Sequence, residues 1–149
     1  MISLSEQDAL RSRLRETIES LYREGYRTFL SGGALGFDTI AAQETLSCRE
    51  NCPGLRLKLV LPCRSQADRW AEKDREAWRM LQLQADEVLW LSDDYYDGCM
   101  LMRNRFLVAH ASVCVCYLKD RRGGTGYTVG CAWRSGLEIV NLAMPLPAR

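Results

Sequence analysis

An α/β fold is the reading the sequence supports: a three-layer arrangement in which a mostly parallel sheet of about five strands lies between helices. Three observations predict it. Short apolar runs alternate with segments of helical period along the whole chain, the pattern of successive βα units. Two glycine-rich turns each follow a strand and open a helix. The length, 149 residues, corresponds to one domain, taken here as residues 1–149.

The elements follow in order. Leu10, Leu14, Ile18 and Leu21 recur at helical spacing behind Ser5-x-x-Asp8, which has the form of a capping box. Gly25 is placed to end that helix. Thr28 to Ser31 reads as a short strand running into Gly32-Gly33-Ala34-Leu35-Gly36, and a helix is expected from about Phe37 to Ser47. Arg56 to Leu61 is the next strand, stopped by Pro62. Between Ser65 and Gln84, the residues Ala67, Trp70, Ala71, Ala77, Trp78 and Leu81 trace a helical stripe, with both tryptophans facing the core. Glu87 to Leu91 is a strand, followed by the acidic, aromatic loop Ser92 to Gly98. A helix from about Met100 to His110 leads to the strand Val113 to Leu118. The loop Lys119 to Gly124 opens a helix from about Thr125 to Ser135, closed by Gly136; Leu137 to Leu142 is the last strand, and Pro145 and Pro147 end the fold.

Composition excludes several classes. Twenty Lys and Arg against nineteen Asp and Glu leave a charge of +1, which argues against nucleic acid or membrane held by bulk charge. The 47% apolar content argues against disorder, and no run approaches the ~20 apolar residues of a membrane span. The polar start Met1-Ile2-Ser3-Leu4-Ser5 is not a signal peptide, so a cytoplasmic protein is expected. Seven cysteines, an odd number with no C-x-x-C pair, read as reduced thiols; Cys114 and Cys116 would share one face of a strand as small hydrophobes. His110 is the only histidine, so a zinc site is not expected; it reads as a packing residue near a helix end.

The chemistry concentrates at the two glycine turns. Ser31-Gly32-Gly33-Ala34-Leu35-Gly36-Phe37-Asp38 and Gly123-Gly124-Thr125-Gly126-Tyr127-Thr128 both stand between a strand and a helix. Glycine admits a ligand close to the backbone, and a helix start offers unpaired N–H groups at the positive end of its dipole. Ser31, Thr125 and Thr128 add hydroxyl donors. In a parallel sheet both turns leave from the carboxyl edge, where ligands bind. Arg103 and Asn104, followed by Arg105, add a guanidinium fork for phosphate and an amide for a base or ribose; solvated helix residues are the plainer reading. Asp38 reads either as a first-turn dipole partner or as an acceptor for a ribose hydroxyl. Tyr95 and Tyr96 suit stacking on a base or packing at a rim, and Gln66 lies on the same edge, where solvation is the default. The near-neutral total also hides a split. Residues 64–97 carry five basic and nine acidic side chains, whereas 99–136 carry six basic and one acidic.

These motifs occur together in a recognisable order. Ser-Gly-Gly-Ala-Leu-Gly-Phe-Asp at 31–38, Pro62-Cys63 with Gln66 and Trp70, Ala85-Asp86, Tyr95-Tyr96-Asp97-Gly98-Cys99-Met100, Arg103-Asn104 and Gly-Gly-Thr-Gly-Tyr-Thr-Val at 123–129 make the chain resemble the YpsA-like and YspA-like proteins of the SLOG superfamily. The resemblance runs from about residue 28 to the end. It implies a Rossmann-like fold and a nucleotide or nucleotide-derived ligand at the two glycine turns, and relatives in that superfamily include DprA and the LOG phosphoribohydrolases. It also implies a strand ending in Gly-His-Arg ahead of the first helix. Met1 stands almost at that helix, leaving three readings open: a truncated frame, a rearranged sheet, or completion by another subunit.

The leading expectation is a sensor or regulatory protein binding a small phosphate-containing ligand through Ser31, Gly32, Gly33, Asp38, Arg103, Asn104, Gly123, Gly124, Thr125, Gly126 and Thr128. No catalytic residue, metal or cofactor is identified, and homo-oligomerisation is left open. A LOG-like N-glycosidic hydrolase is the alternative. Its Met-x-x-Arg pattern is matched at Met100 and Arg103, but its signature carboxylate falls on Gly130. A DprA-like single-strand DNA binder is the third, opposed by the charge balance.

Overall fold

The alternation read from the sequence is present along the chain. In a computed structural model, described over residues 2–119 and 123–143, the order is α1 (Leu4–Arg23), β1 (Thr28–Ser31), α2 (Phe37–Cys48), β2 (Arg56–Leu61), α3 (Glu72–Gln84), β3 (Glu87–Trp90), α4 (Cys99–Ala109), β4 (Val113–Cys116), α5 (Gly123–Arg134) and β5 (Glu138–Asn141). Every strand pairing is parallel. The strands divide, however, into a three-stranded sheet ordered β1-β2-β3 and a two-stranded sheet of β4 and β5. Periodicity marks a strand and its faces; it does not say which edges meet. The chain divides likewise into two compact units, Met1–Arg103 and Asn104–Arg149.

In the first unit α1 is amphipathic, and Leu10, Leu14, Ile18 and Leu21 form its buried stripe. Its cap is Ser3 rather than Ser5: the Ser3 hydroxyl accepts from the Glu6 N–H at 3.3 Å. The effective box is therefore Ser3-x-x-Glu6, two residues ahead of the expected one. Gly25 closes the helix as expected, at φ 108°. Its N–H donates to Tyr22 O and that of Tyr26 to Leu21 O, both at 3.0 Å, the Schellman pairing. α1 packs on α2, where the buried Glu44 carboxylate accepts from Arg11 and Arg15, each at 3.3 Å. β2 is the central strand. Leu57, Leu59 and Leu61 bury one face of it against Ala42 of α2 and Leu81 of α3.

The stripe read over 65–84 is helical only from Glu72. Residues 62–71 run as successive turns, with Gln66 N–H to Cys63 O, Asp68 N–H to Ser65 O and Trp70 N–H to Ala67 O. Trp78 packs against the core, whereas Trp70 lies outside the helix and meets Trp78 edge-on at 6.3 Å. Because the three strands are parallel, with Ser31 beside Leu59 and Leu61 beside Trp90, three connections leave from one edge. They are the glycine turn 32–36, the turns 62–71 and the loop 91–98.

In the second unit α5 packs on both β4 and β5, over buried Cys116, Ala132 and Leu142. α5 begins at Gly123 rather than Thr125, so both glycines belong to the helix. Gly136 at φ 85° ends it, with Gly136 N–H to Trp133 O and Leu137 N–H to Ala132 O. Asn141 extends the pairing beyond the strands. Its amide accepts from the Leu118 N–H and donates to Leu118 O, both at 2.9 Å, and its oxygen also takes the Ala143 N–H. His110, expected to pack, is exposed and stacks on Phe106 at 3.9 Å, its Nδ1 2.8 Å from the Phe106 carbonyl. All seven cysteines are free thiols. Cys114 and Cys116 share a face as expected, and a hydrogen bond to Cys114, then burial, push the Cys116 thiol upward. Pro145, Pro147, Arg121 and Arg122 lie outside the described residues.

Candidate functional site

The first glycine turn is built by its own side chains. Ser31, buried at the end of β1, accepts from the Gly33 N–H at 3.3 Å and donates to Asp38 O at 3.2 Å. The Asp38 carboxylate turns back to receive the Ala34 N–H at 3.3 Å, and Thr39 donates to Ala34 O at 2.8 Å. Gly36, at φ 83°, begins α2 with no side-chain cap. The helix start therefore has no side-chain cap on its first backbone donors, and Asp38 is the one acidic side chain in its first turn.

One carbonyl ties the edge together. Gly32 O accepts from the Arg103 guanidinium, at the end of the first unit, and from the Gln66 amide at 3.2 Å. Gln66 in turn accepts from the Trp78 indole N–H at 3.0 Å. Arg103 is 4% exposed and Gln66 8%. The glycines answer first to these neighbours. A Cβ on Gly32 would stand 2.7 Å from Arg103 Nη1, and one on Gly33, at φ 67°, would stand 2.6 Å from Leu61 Cδ2. The room that glycine leaves at Gly32 is thus taken by Arg103.

Asp38 and Arg103 are electrostatically paired. Burial pushes the Asp38 carboxyl upward, with the Arg103 charge and the Ala34 N–H opposing it. Burial likewise pulls the Arg103 guanidinium downward, with the Asp38 charge opposing. Desolvation leads on both partners, so the pair is held by its surroundings against a preference for neutrality.

The structure therefore brings together Ser31, Gly32, Gly33, Asp38 and Arg103. Asn104, Gly123, Gly124, Thr125, Gly126 and Thr128 belong to the second unit. There Thr125 is exposed, Gly126 and Thr128 half-buried, all within the first turns of α5. Arg105 reaches Tyr127 of the same unit at 3.3 Å. Tyr95 and Tyr96 are 59% and 45% exposed, so neither is a core residue. Gln66, for which solvation was the default, is a buried member of the edge. Its position three residues past Cys63 was the available signal; its bonds to Gly32 and Trp78 were not legible locally. Among the described residues, no group of three or more His, Cys, Asp or Glu side chains converges to hold a metal, and no helix is long and apolar enough to cross a membrane.

Comparison with known proteins agrees with this organisation. The UPF0398 protein of Bacillus thuringiensis (strain Al Hakam) is 24% identical over 137 residues, covering 90% of this chain and 74% of the relative. The UPF0398 protein of Halalkalibacterium halodurans is 26% identical over 121 residues, covering 79% of this chain and 64% of the relative. The model of the YspA SLOG family matches residues 5–134, a span that includes both glycine turns and Arg103. The chain belongs to the YspA SLOG family.

Proposed function

We propose that this chain binds a nucleotide or nucleotide-derived phosphate ligand through its glycine-rich strand-to-helix turns, in a sensor or regulatory role. One observation carries the reading: the buried Arg103 guanidinium and the half-buried, first-turn Asp38 carboxylate, which interact electrostatically, stand at a helix start with no side-chain cap on the carboxyl edge of a parallel sheet. Buried charges contribute little net stability, and perturbed carboxylates beside a cation cluster at functional sites. An anion at the start of α2 would meet backbone donors, and Arg103 would balance its charge. The seven free thiols are in keeping with a cytoplasmic setting. A thermal-shift and calorimetric screen of AMP, ADP, dinucleotides and ADP-ribose tests it. Saturable binding of at least one compound is expected, and silence across the panel with folded protein overturns it.

A second reading, N-glycosidic hydrolysis, is favoured by one observation. Burial holds a proton on Asp38 to higher pH than an ordinary carboxylate, as a general acid requires. Release of free base from AMP, abolished by Asp38→Asn, would establish it.

A further inference from the structure

The Gly32–Gly33 peptide carries no Cβ on either side, so rotation of its plane meets less steric resistance than where either residue bears a side chain. A trans peptide points its carbonyl and its N–H in opposite directions. Here the carbonyl end is turned inward to Gln66 and Arg103 and the N–H end meets Ser31. The reverse orientation would break the bonds of Gly32 O to Gln66 and Arg103 and set the carbonyl oxygen against Ser31 in place of the Gly33 N–H, undoing the turn that Ser31 and Asp38 brace.

Resting on the anion-binding reading above, we propose that Gln66, oriented by Trp78, acts with Arg103 as a positioning residue. Together they hold the Gly32–Gly33 peptide carbonyl-inward, the orientation that keeps the turn between β1 and α2 in the shape read above as the binding turn. The amide of Gln66 has two unlike ends. The Trp78 indole can only donate, so it claims the oxygen and leaves the NH2 group for Gly32 O. One indole proton thus sets the polarity of an amide, and that amide sets the orientation of a peptide at the end of β1. Both side chains come from outside the turn, Gln66 from the connection after β2 and Trp78 from α3, so no local motif records the device. The Trp70–Trp78–Trp90 contacts, edge-on at 6.3 and 5.9 Å, keep the indole in place.

The test uses the full chain, nitrogen-15 labelled, with two variants: Gln66→Met, which keeps the length and removes the amide, and Trp78→Phe, which removes only the donor at the ring's edge. Circular dichroism checks that each is folded. Hydrogen exchange at the Gly33 amide reads the peptide directly, because reversal breaks its bond to Ser31. Exchange at least about fivefold faster, and affinity for ADP at least about fivefold weaker, are expected, the scale of one lost hydrogen bond. A merely structural role would lower the melting temperature and leave both readouts unchanged in the folded variants; that result overturns the proposal. Unchanged ADP affinity despite faster Gly33 exchange overturns it too. If the unmodified chain binds no compound of the nucleotide panel, the ligand reading fails instead, and Gly33 exchange then decides the positioning by itself; if it binds another compound of the panel and not ADP, that compound replaces ADP in the affinity comparison.

Discussion

Arg103→Met would remove the cation from the first glycine turn while keeping most of the apolar stem. The substitution deletes a charge-assisted bond to Gly32 O and leaves the half-buried Asp38 carboxylate with the Ala34 N–H but without the charge that opposes its desolvation. Breaking a buried pair from one side costs about 3–5 kcal/mol. Asp38 is already pushed upward by burial and would take up a proton more readily without the opposing charge, so a loss near the lower limit, about 3 kcal/mol, is expected. In a chain of this size that corresponds to a fall of about 6–12 °C in Tm. Asp38→Asn should cost a comparable amount by stranding Arg103. The double variant buries no charge, so it should recover about 2 kcal/mol or more over the sum of the singles. The assay is guanidinium unfolding followed by tryptophan fluorescence in a Trp133→Phe background. There the remaining tryptophans, Trp70, Trp78 and Trp90, all report the first unit. Arg103→Met within about 0.5 kcal/mol of its parent, or strictly additive single variants, would refute the reasoning.

Further expectations follow from other parts of the fold. The Leu57 N–H, then the Arg49 guanidinium, hold the Asp86 carboxyl below its usual range. Its contribution is therefore present above the unfolded carboxylate value and lost as pH falls through the lower folded value. Asp86→Asn should cost about 0.5–1 kcal/mol near pH 6, with the gap closing in acid, as denaturation between pH 2 and 6 would show. Asn141→Leu leaves the Leu118 N–H and C=O without their partner, and a loss of about 2–3 kcal/mol is expected from chemical denaturation. Burial, with Glu19, Cys52 and Glu44 nearby, pushes the Cys48 thiol up to about 11. At pH 8 only about one molecule in a thousand would carry that thiolate. Mass spectrometry after brief alkylation should find Cys48 unmodified in the folded chain and labelled once it is unfolded.

Much of the fold was legible because its signals are local. Gly25 and Gly136 announced their Schellman ends, and the apolar runs announced all five strands. Ser5-x-x-Asp8 has the form of a cap, but Ser3, with Glu6 three positions on, is the residue that caps α1. Ala67 and Trp70 kept helical spacing, yet Gln66 is held against Gly32 and its segment bends into turns. The strands gave no sign that β1-β2-β3 and β4-β5 form separate ladders, because edge pairing leaves no periodic mark. At the site, Ser31, Asp38 and Arg103 were identified by residue type and position. Their roles were not: the glycine expected to admit a ligand at position 32 admits Arg103, which lies 71 residues away in the chain. Asp38 also serves the turn itself through the Ala34 N–H. A side chain arriving from that distance leaves no pattern in a window of sequence.

The central claim, that the first glycine turn receives a phosphate-bearing ligand, is tested most directly by calorimetric titration of ADP into the unmodified chain and into folded Arg103→Met. Saturable binding to the first, weakened at least about tenfold in the second, is expected from the loss of a charge-assisted contact. Equal affinity in both, or no heat in either from ADP or any other compound of the panel, would contradict the claim.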